Sequence, residues 1–508
     1  MKYYLNTVLI LVLLCFSLSS KKVCAQLIQD KEIKIPIDID KIDDFSVHAL
    51  KEDGVIILNS QKTFYSRKSL INVFKYDSTL NFVWKTTFEP GDNFNLEKYF
   101  IGETHFYCLF KEVDKENIKI LKIDLNTGFG VISEAKMLTR MDINFFTAID
   151  NKIVIGGSYN NRPVVELCRL FDGNAKVLPH VHSNYVAISG IEVNEATKEL
   201  YVMLRDEKKC SFIFSVYDYE GKLIKTEELG DKDRSILNGK VLKIKTGELF
   251  LAGNFATSCS AYSSGFYFYP LLGVGGIQYY KFSDLQNFFS YLPEKRKSKV
   301  LSRLEKRRSK GKKDNLKYRL NMHEPIVDNN EIDLVAEVYY PEYKSNTNIV
   351  RTNLYDLRNN MPFYKEYNNY KFTHALLCVF DFEGKKAWDF SFDMGNLESS
   401  ILNEKIQLTK IGENYMVAFP KDELIKSMTV SRNNEVLENN TLDMRYIDGE
   451  KVVSDISVEL SAWYGQKYLA FGEKSQKNDG GYLSKVYFYV SRLTYQVPEL
   501  RKTSELTK

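Results

Sequence analysis

Short apolar runs recur along the chain, and each one follows residues that favour turns. The eight runs begin at Val55, Phe106, Ile153, Leu200, Leu249, Leu334, Met416 and Leu469. Five of the seven intervals between them are close to fifty residues, and the two longer intervals leave room for insertions. A repeat of about 40–50 residues with several strands in each unit is typical of β-propeller blades. The spacing therefore predicts one all-β propeller with eight four-stranded blades, with seven blades as the alternative.

A second repeat runs in phase with the first. An aromatic or aliphatic residue followed by aspartate ends a strand-like run at Asp77, Asp124, Asp172, Asp218 and Asp381. Aspartate suits the corner of a hairpin because its carboxylate accepts hydrogen bonds from backbone N–H groups one or two residues further on. We therefore interpret these aspartates as turn formers.

One of these corners carries a longer motif. The segment from Phe380 to Trp388 reads F-D-F-E-G-K-K-A-W, and it resembles the A-x-D-x-x-T-G-x-x-x-W blade motif of quinoprotein-like propellers. Asp124 to Gly128 matches the D-x-x-T-G part, and Asp77 with Trp84 keeps the spacing from Asp to Trp. The resemblance implies a propeller in which the tryptophan packs between neighbouring blades. The adjacent cysteine pair of the quinone-dependent members is absent, so we expect no cofactor.

The two ends of the mature chain can complete a single blade. The last strand-like run, residues 486–490, needs an outer partner, and residues 32–37 have the apolar pattern to supply it. Pro36 is compatible with this position because proline is tolerated on an edge strand. We therefore expect the first mature strand to close the ring.

The first 25 residues have the pattern of a secretory signal peptide. Lys2 precedes an apolar run from Val8 to Phe16, which is too short to span a bilayer, and small residues stand before Gln26. The pattern predicts cleavage before Gln26, a propeller over residues 26–508, and a location in the periplasm or at the outer-membrane periphery.

The mature chain keeps five cysteines, an odd number without tight spacing. This pattern does not indicate a disulfide framework. Cys108, Cys168 and Cys378 lie in apolar runs, where we expect them to be buried as small hydrophobic residues.

The first long interval contains an insertion, residues 283–319. Ser283 to Gln286 has the form of a capping box, and Leu285, Phe288, Phe289 and Leu292 follow at helical spacing. We expect a helix that ends at Pro293, followed by a solvated basic run. From Lys295 to Arg319 there are thirteen Lys or Arg against two acidic residues, in a chain whose net charge is only +4.

The basic run suggests an electrostatic docking site for an anionic partner, and a flexible charged loop is the alternative. The candidate partner-binding residues are Lys295, Arg296, Lys297, Lys299, Arg303, Lys306, Arg307, Arg308, Lys310, Lys312 and Lys313.

The second long interval contains residues 341–369, which are rich in Tyr and Asn and have no sustained periodicity. We interpret this stretch as a long surface loop, a kind of segment that is often functional or disordered in compact folds.

The sequence carries no recognisable motif for catalysis or metal binding. His180 and His182 share a side if they lie on a strand, but no further zinc ligands are near them in sequence. The sequence has neither a serine nucleophile elbow nor a phosphate-binding loop. The chain therefore favours a non-catalytic protein, with acidic residues around the propeller axis left open as an alternative site.

Signal, propeller and basic appendage together predict an exported scaffold or accessory subunit of an outer-membrane secretion or assembly machine. The expected partner is an envelope protein such as an outer-membrane β-barrel or a secretion component, with possible contact to an anionic membrane surface or glycan and none to nucleic acid. In overall layout the chain resembles the soluble plug subunits of the type IX secretion translocon. The competing hypothesis is a propeller that binds or degrades surface glycans.

Overall fold

The structure is a computed structural model that describes residues 26–38, 40–63, 69–244, 247–271, 275–312, 316–328, 330–343, 367–447, 450–451, 456–477 and 484–496. These residues form eight antiparallel sheets of the blade type and one short hairpin. The eight-bladed propeller is confirmed, and the seven-bladed alternative is wrong. Within the described residues, no helix has the length and apolar character needed to cross a membrane.

The first four blades follow the chain in order, each with its strands paired to their neighbours. Blade 1 has β2 (Lys41–Ala49), β3 (Val55–Thr63), β4 (Ser69–Tyr76) and β5 (Phe82–Phe88). Blade 2 has β6 (Phe94–Ile101), β7 (His105–Glu112), β8 (Asn117–Asp124) and β9 (Gly130–Lys136). Blade 3 has β10 (Asp142–Ile149), β11 (Lys152–Tyr159), β12 (Arg162–Arg169) and β13 (Ala175–Val177). Blade 4 has β14 (Val186–Asn194), β15 (Glu199–Asp206), β16 (Ser211–Asp218) and β17 (Leu223–Leu229).

The innermost strand position of blades 5 and 6 is divided between two short strands that pair with the same neighbour. Blade 5 has β18 (Ser235–Ile236), β19 (Lys240–Lys243), β20 (Leu249–Ala256), β21 (Gly265–Pro270) and β22 (Gln278–Lys281). Blade 6 has β23 (Arg319–Met322), β24 (Ile326–Asp328), β25 (Glu331–Tyr343), β26 (Tyr367–Asp381) and β27 (Lys386–Ser399). Strands β25 and β26 thus include both ends of the 341–369 stretch, whose middle, residues 344–366, lies outside the described residues.

Blade 7 is regular, and blade 8 joins the two ends of the chain. Blade 7 has β28 (Gln407–Ile411), β29 (Asn414–Lys421), β30 (Leu424–Val430) and β31 (Val436–Asp443). Blade 8 has β34 (Glu459–Ala462), β35 (Lys467–Lys477), β36 (Ser484–Gln496) and β1 (Gln26–Pro36). Between them lies the hairpin of β32 (Tyr446–Ile447) and β33 (Glu450–Lys451).

Each predicted apolar run is the second strand of a blade. This strand lies between neighbouring blades on both faces, so its side chains are apolar without alternation. In β20 all eight residues are buried. Eight clusters of buried apolar side chains occupy the eight interfaces between adjacent blades, and they form the core.

The ring closes as predicted. Strand β1 pairs antiparallel with β36, with Ile33 opposite Val490 and Pro36 opposite Tyr487. The Lys474 ammonium forms an ion pair with the Glu32 carboxylate inside this blade, and both side chains are more than nine-tenths buried. Because a buried charge is tolerated only when it is paired, this contact ties β1 to the ring.

The aspartate corners form turns, as the sequence predicts. Asp77 Oδ1 accepts hydrogen bonds from the backbone N–H groups of Thr79 and Asn81 at 2.8 and 2.9 Å. The carboxylates of the other four corners accept equivalent bonds at 2.7–3.0 Å, which involve Asp124, Asp172, Asp218 and Asp381.

Tryptophan also packs between blades, as the quinoprotein-like motif implies. Trp84 of blade 1 donates its indole N–H to the Leu125 carbonyl of blade 2 at 3.2 Å. Trp388 of blade 6 donates to Asn434 Oδ1 of blade 7 at 3.1 Å. A third tryptophan, Trp463 of blade 8, reaches the Gly54 carbonyl of blade 1 at 3.0 Å.

The cysteines divide into two groups. Cys108, Cys168 and Cys378 are free and buried, which confirms the prediction for them. Cys210 and Cys259 form a disulfide with a Cα–Cα distance of 5.5 Å, a single bond that the cysteine pattern did not indicate. The bond joins the turn between β15 and β16 to the segment after β20, and it therefore links blades 4 and 5.

Candidate functional site

The two ends of the propeller have different connections. Since successive strands alternate in direction, the turns from first to second and from third to fourth strand all lie at one end. We call this end the turn face, and it carries the five aspartate corners. The other end carries the connections from second to third strand and from one blade to the next. We call it the insertion face, because the insertion between β22 and β23 leaves from it.

The start of the insertion is folded onto blades 5 and 6. Leu285, Phe288 and Phe289 are buried in the cluster between these blades, and Leu292 packs at its edge. Asp389 of β27 accepts the backbone N–H groups of Gln286 and Asn287 at 3.1 and 2.6 Å. These residues therefore pack on the propeller as a series of turns.

The predicted helix over this stretch is wrong. Residues 282–284 form a 3-10 turn, and turns continue to residue 292. Asp284 does accept a backbone hydrogen bond, from the N–H group of Lys281 at 3.1 Å. The Asp389 carboxylate accepts hydrogen bonds from backbone N–H groups that a continuing helix would point along its own axis. These tertiary contacts therefore override the helical spacing of the apolar residues.

The α-helix begins where the sequence predicted an end. Helix α1 (Glu294–Arg308) starts directly after Pro293, which occupies the N-cap. Proline is compatible with a helix start because its missing N–H group needs no partner there. Val300 and Leu304 contact the cluster between blades 5 and 6, and Lys297 is half-buried beside them. One stripe of α1 thus rests on the propeller, and the rest of its surface faces solvent.

The candidate partner-binding residues are therefore brought together by one helix. Those within α1 other than Lys297 are exposed: Lys295, Arg296, Lys299, Arg303, Lys306, Arg307 and Arg308. Lys310 and Lys312 are exposed in the turn beyond the helix, and Lys313 lies outside the described residues. Arg308 also donates a hydrogen bond to the Ser283 carbonyl at 2.8 Å, which holds the end of α1 near its start. The role of the candidate residues in binding a partner stays a prediction.

Charged side chains also converge around the propeller axis. Glu192 of β14 accepts the Val241 N–H group of β19 at 3.1 Å, and the neighbouring Lys240 pairs with Glu324 of blade 6. Burial raises the pKa of Glu192 to about 7, against the opposing charge of Lys240. Together with Glu103, Glu192 lines a cavity of about 370 Å³ at the turn-face end of the axis.

A second axial group joins blades 6 and 7. His323 Nε2 lies 3.1 Å from the buried carboxylate of Glu337, which accepts the backbone N–H groups of Lys405 and Ile406 at 2.6 Å each. Burial disfavours the charged imidazole, but the contact with Glu337 and the charge of Glu404 outweigh it and raise the pKa of His323.

Glu192 and Glu337 each bond backbone N–H groups of the next blade, Glu192 at Val241 of β19 and Glu337 at two residues just before β28. The arrangement can exchange protons near neutral pH, and its main physical effect is to hold adjacent blades in register. Sequence reasoning left open a group of acidic residues around the axis but assigned none of these residues to it, since they come from separate blades. The available signal is position: Glu192 and Lys240 lie on first strands, and His323 lies between the two short first strands of blade 6.

The structure also locates the histidines considered for metal binding. His180 and His182 lie in the connection from β13 to β14, and His182 is 3.4 Å from Arg162. In the part of the chain that the structure describes, no group of three or more His, Cys, Asp or Glu is placed to hold a metal ion.

Comparisons with known proteins reach only the fold. No protein family matches the chain, and no curated protein does. A prolyl endopeptidase is similar over 86% of this chain and 55% of its own, at 8% identity and a TM-score of 0.39. The chain thus spans about half the length of that enzyme.

Two further structures are matched over nearly their whole length. The β-propeller domain of the Trilobed protease from Pyrococcus furiosus covers 81% of this chain and matches over 98% of its own, at 9% identity and a TM-score of 0.33. A polysaccharide lyase covers 92% and matches over 99%, at 10% identity and a TM-score of 0.38. Similarities this distant carry no argument about function, and nothing in them or in the fold supports the resemblance to a translocon plug subunit.

Proposed function

We propose that the chain is an exported, non-catalytic β-propeller that serves as a protein-binding scaffold in the cell envelope. In this proposal α1 is the docking element, and its partner is an envelope protein with an acidic surface, such as an outer-membrane β-barrel or a secretion component. The observation that carries the proposal is the placement of α1, which rests on the propeller by one stripe and presents seven exposed basic side chains.

Burial energetics agree with this role. A helix that stabilises its own fold buries an apolar face, whereas no residue of α1 is fully buried. Lys and Arg side chains retain their hydration while exposed, and they attract an acidic surface over roughly one Debye length, about 10 Å at 0.1 M salt. The helix therefore contributes little to folding and much to the local electrostatic potential.

Two features support export. Residues 1–25 have the pattern of a cleaved signal, and the Cys210–Cys259 disulfide is of a kind that forms and persists in oxidising compartments. The partner would then be met outside the cytoplasm, where an acidic protein surface is available and nucleic acid is scarce.

Charge reversal on the outer side of α1 tests the proposal. Lys299, Arg303 and Lys306 follow one another at helical spacing, away from the stripe that contacts the propeller. The triple variant K299E/R303E/K306E changes the charge by six units. The matched control is K51E/K222E/K385E, which makes the same change with three exposed lysines of the turn face.

We expect the wild-type and control proteins to co-purify the same envelope partner in stoichiometric amount, and the α1 variant to lose it. The loss should be largest at low salt, where screening is weakest. Retention of the partner by the α1 variant, with loss in the control, would refute α1 as the docking element. Recovery with anionic lipid vesicles alone would instead identify a membrane surface as the target.

A further inference from the structure

A cleft on the insertion face lies apart from α1 and from the axial charges. It has a volume of about 680 Å³ and lies between blades 3 and 4. Its wall includes Asn144 at the start of β10, the turn between β11 and β12, and the connection that leads into β14. Ligand clefts commonly have volumes of about 300–1,000 Å³, so the space suits a ligand of several rings.

Amide side chains dominate the polar part of this wall. Asn144, Asn160, Asn161 and Asn184 all line the cleft. None of their side-chain amides has a hydrogen-bond partner among the described residues, whereas Asn81 and Asn174 of the turn face bond neighbouring aspartates. An amide offers both donors and an acceptor without charge. The cleft therefore presents four neutral groups that are ready to bond a ligand.

An exposed tyrosine stands at the edge of the cleft. Tyr185 is 66% exposed and has a φ of 64°. The left-handed region is unfavourable for a bulky side chain, and such a conformation persists only where its surroundings impose it. The Tyr185 carbonyl accepts the Glu207 N–H group at 2.9 Å, which fixes the backbone at this point.

The connection before Tyr185 is also anchored. Val181 is completely buried, and the Tyr217 hydroxyl donates to the Pro179 carbonyl at 2.7 Å. The ring of Tyr185 is therefore held outward by a rigid support. A large, exposed and preorganised aromatic surface is well suited to stack on a ligand that has an apolar face.

The charges around the cleft do not select a strongly charged ligand. Arg162 and Glu207 both line it and carry opposite charges. Lys208 lies outside the wall, with its ammonium 5.6 Å from the centroid of the Tyr185 ring. A phosphate or polyanion site would need convergent cations, and the wall supplies only Arg162.

We propose that this cleft binds an uncharged oligosaccharide. Sugar hydroxyls donate and accept hydrogen bonds, as amides do, and the C–H face of a pyranose ring is apolar, as the Tyr185 ring is. The four asparagines would bond the hydroxyls, and Tyr185 would stack on one sugar ring. The site involves no chemical step, so it adds glycan binding to the scaffold and requires no catalysis.

Calorimetric titration with defined hexasaccharides of glucose, mannose, xylose and N-acetylglucosamine tests this inference, with a hexauronate as the charged comparison. Variant Y185N removes the ring and keeps a residue that tolerates positive φ. Variant N160G/N161G removes two amides from positions with φ of 50° and 59°, which glycine adopts readily. The control F171N removes an aromatic ring that is 86% exposed on the turn face.

We expect at least one neutral hexasaccharide to bind, with affinity reduced at least about tenfold in Y185N and in N160G/N161G and unchanged in F171N. Absence of binding by every neutral saccharide, preference for the hexauronate, or full affinity in both cleft variants would overturn the inference. The α1 variant K299E/R303E/K306E should keep saccharide affinity, so failure of the docking proposal and failure of this one are distinguishable.

Discussion

The turn face and the insertion face are built from the same strands and differ in what their polar groups do. On the turn face the aspartate carboxylates are bonded to the backbone of their own hairpins. On the insertion face the side-chain amides of the cleft asparagines have no hydrogen-bond partner among the described residues, and most basic side chains of α1 are exposed, with Arg308 bonded to the Ser283 carbonyl. Asp206 and Asp231 of the insertion face also bond the backbone of their own turns. What distinguishes this face is that it additionally carries the cleft amides and the exposed basic side chains of α1.

The comparison predicts that the two faces differ in how well they tolerate a β-carbon added at a glycine. Gly54 on the turn face has a φ of 108°, and a β-carbon there would collide with the Tyr76 carbonyl oxygen. Gly311 after α1 has a φ of 64°, and no described atom lies within 4 Å of such a carbon. We expect G54A to lower the free energy of unfolding by about 3 kcal/mol or more, and G311A by about 1 kcal/mol. Urea unfolding of both variants measures the difference, and equal losses would break the comparison.

The disulfide should stabilise the insertion face where connections are longest. Cys210 and Cys259 are 49 residues apart in sequence. Because a cross-link restricts the unfolded chain, C210S/C259S should lose about 2–4 kcal/mol. Alkylation of the native protein should label no cysteine before reduction and only these two afterwards, as read by mass spectrometry. Labelling of Cys108 in the folded protein would contradict its burial.

The carboxylates around the propeller axis should make the stability of the fold respond to pH. Burial raises the pKa of Glu192 to about 7, above the ordinary value of 4.5. The folded state then holds a proton that the unfolded state releases near pH 4.5, so the wild type loses stability as pH rises from there to about 7. The free energy of unfolding of E192Q minus that of the wild type should increase by about 1–2 kcal/mol from pH 4.5 to pH 8. An equal difference between the two proteins at both pH values would refute the raised pKa of Glu192.

The smallest effect should come from a single aspartate corner. The slight desolvation of Asp77 works against ionisation, but hydrogen bonds from Asn81 and Thr79 lower its pKa to about 2. A lowered pKa stabilises the fold above pH 3.8 and loses that effect as pH falls towards 2. The advantage of wild type over D77A should be below about 1 kcal/mol at pH 5, since the corner is exposed, and should shrink towards pH 2. Thermal unfolding of both proteins across this pH range tests the prediction. A stability advantage of the wild type over D77A that grows as the pH falls would contradict it.

The sequence predicted the features of the fold that depend on local patterns. Second strands were recognised because they pack on both faces, and corners such as Asp124 because their hydrogen bonds are local. Closure of the ring by β1 followed from an unpaired last strand. Cys210 and Cys259 were missed, although their separation equals one blade repeat and so places them at equivalent positions of adjacent blades.

The candidate sites depend on contacts that no local pattern records. The stretch from Leu285 to Leu292 has helical spacing, but Asp389 bonds its backbone from about a hundred residues away. The cleft combines Asn144, Asn160 and Asn184 from separate connections, and single asparagines in turns are common. The basic run was visible in the sequence, whereas its organisation as a helix after Pro293 was not.

The central claim is that the insertion face, through α1, is the surface that meets a partner. A photo-cross-linking residue placed at Arg303, and in a second protein at Lys222 of the turn face, tests it in the native envelope. Both positions are exposed, so the two probes differ mainly in the face that carries them. We predict one discrete cross-linked species from position 303 and none from position 222. Cross-links from position 222 alone, or the same species from both, would contradict the account.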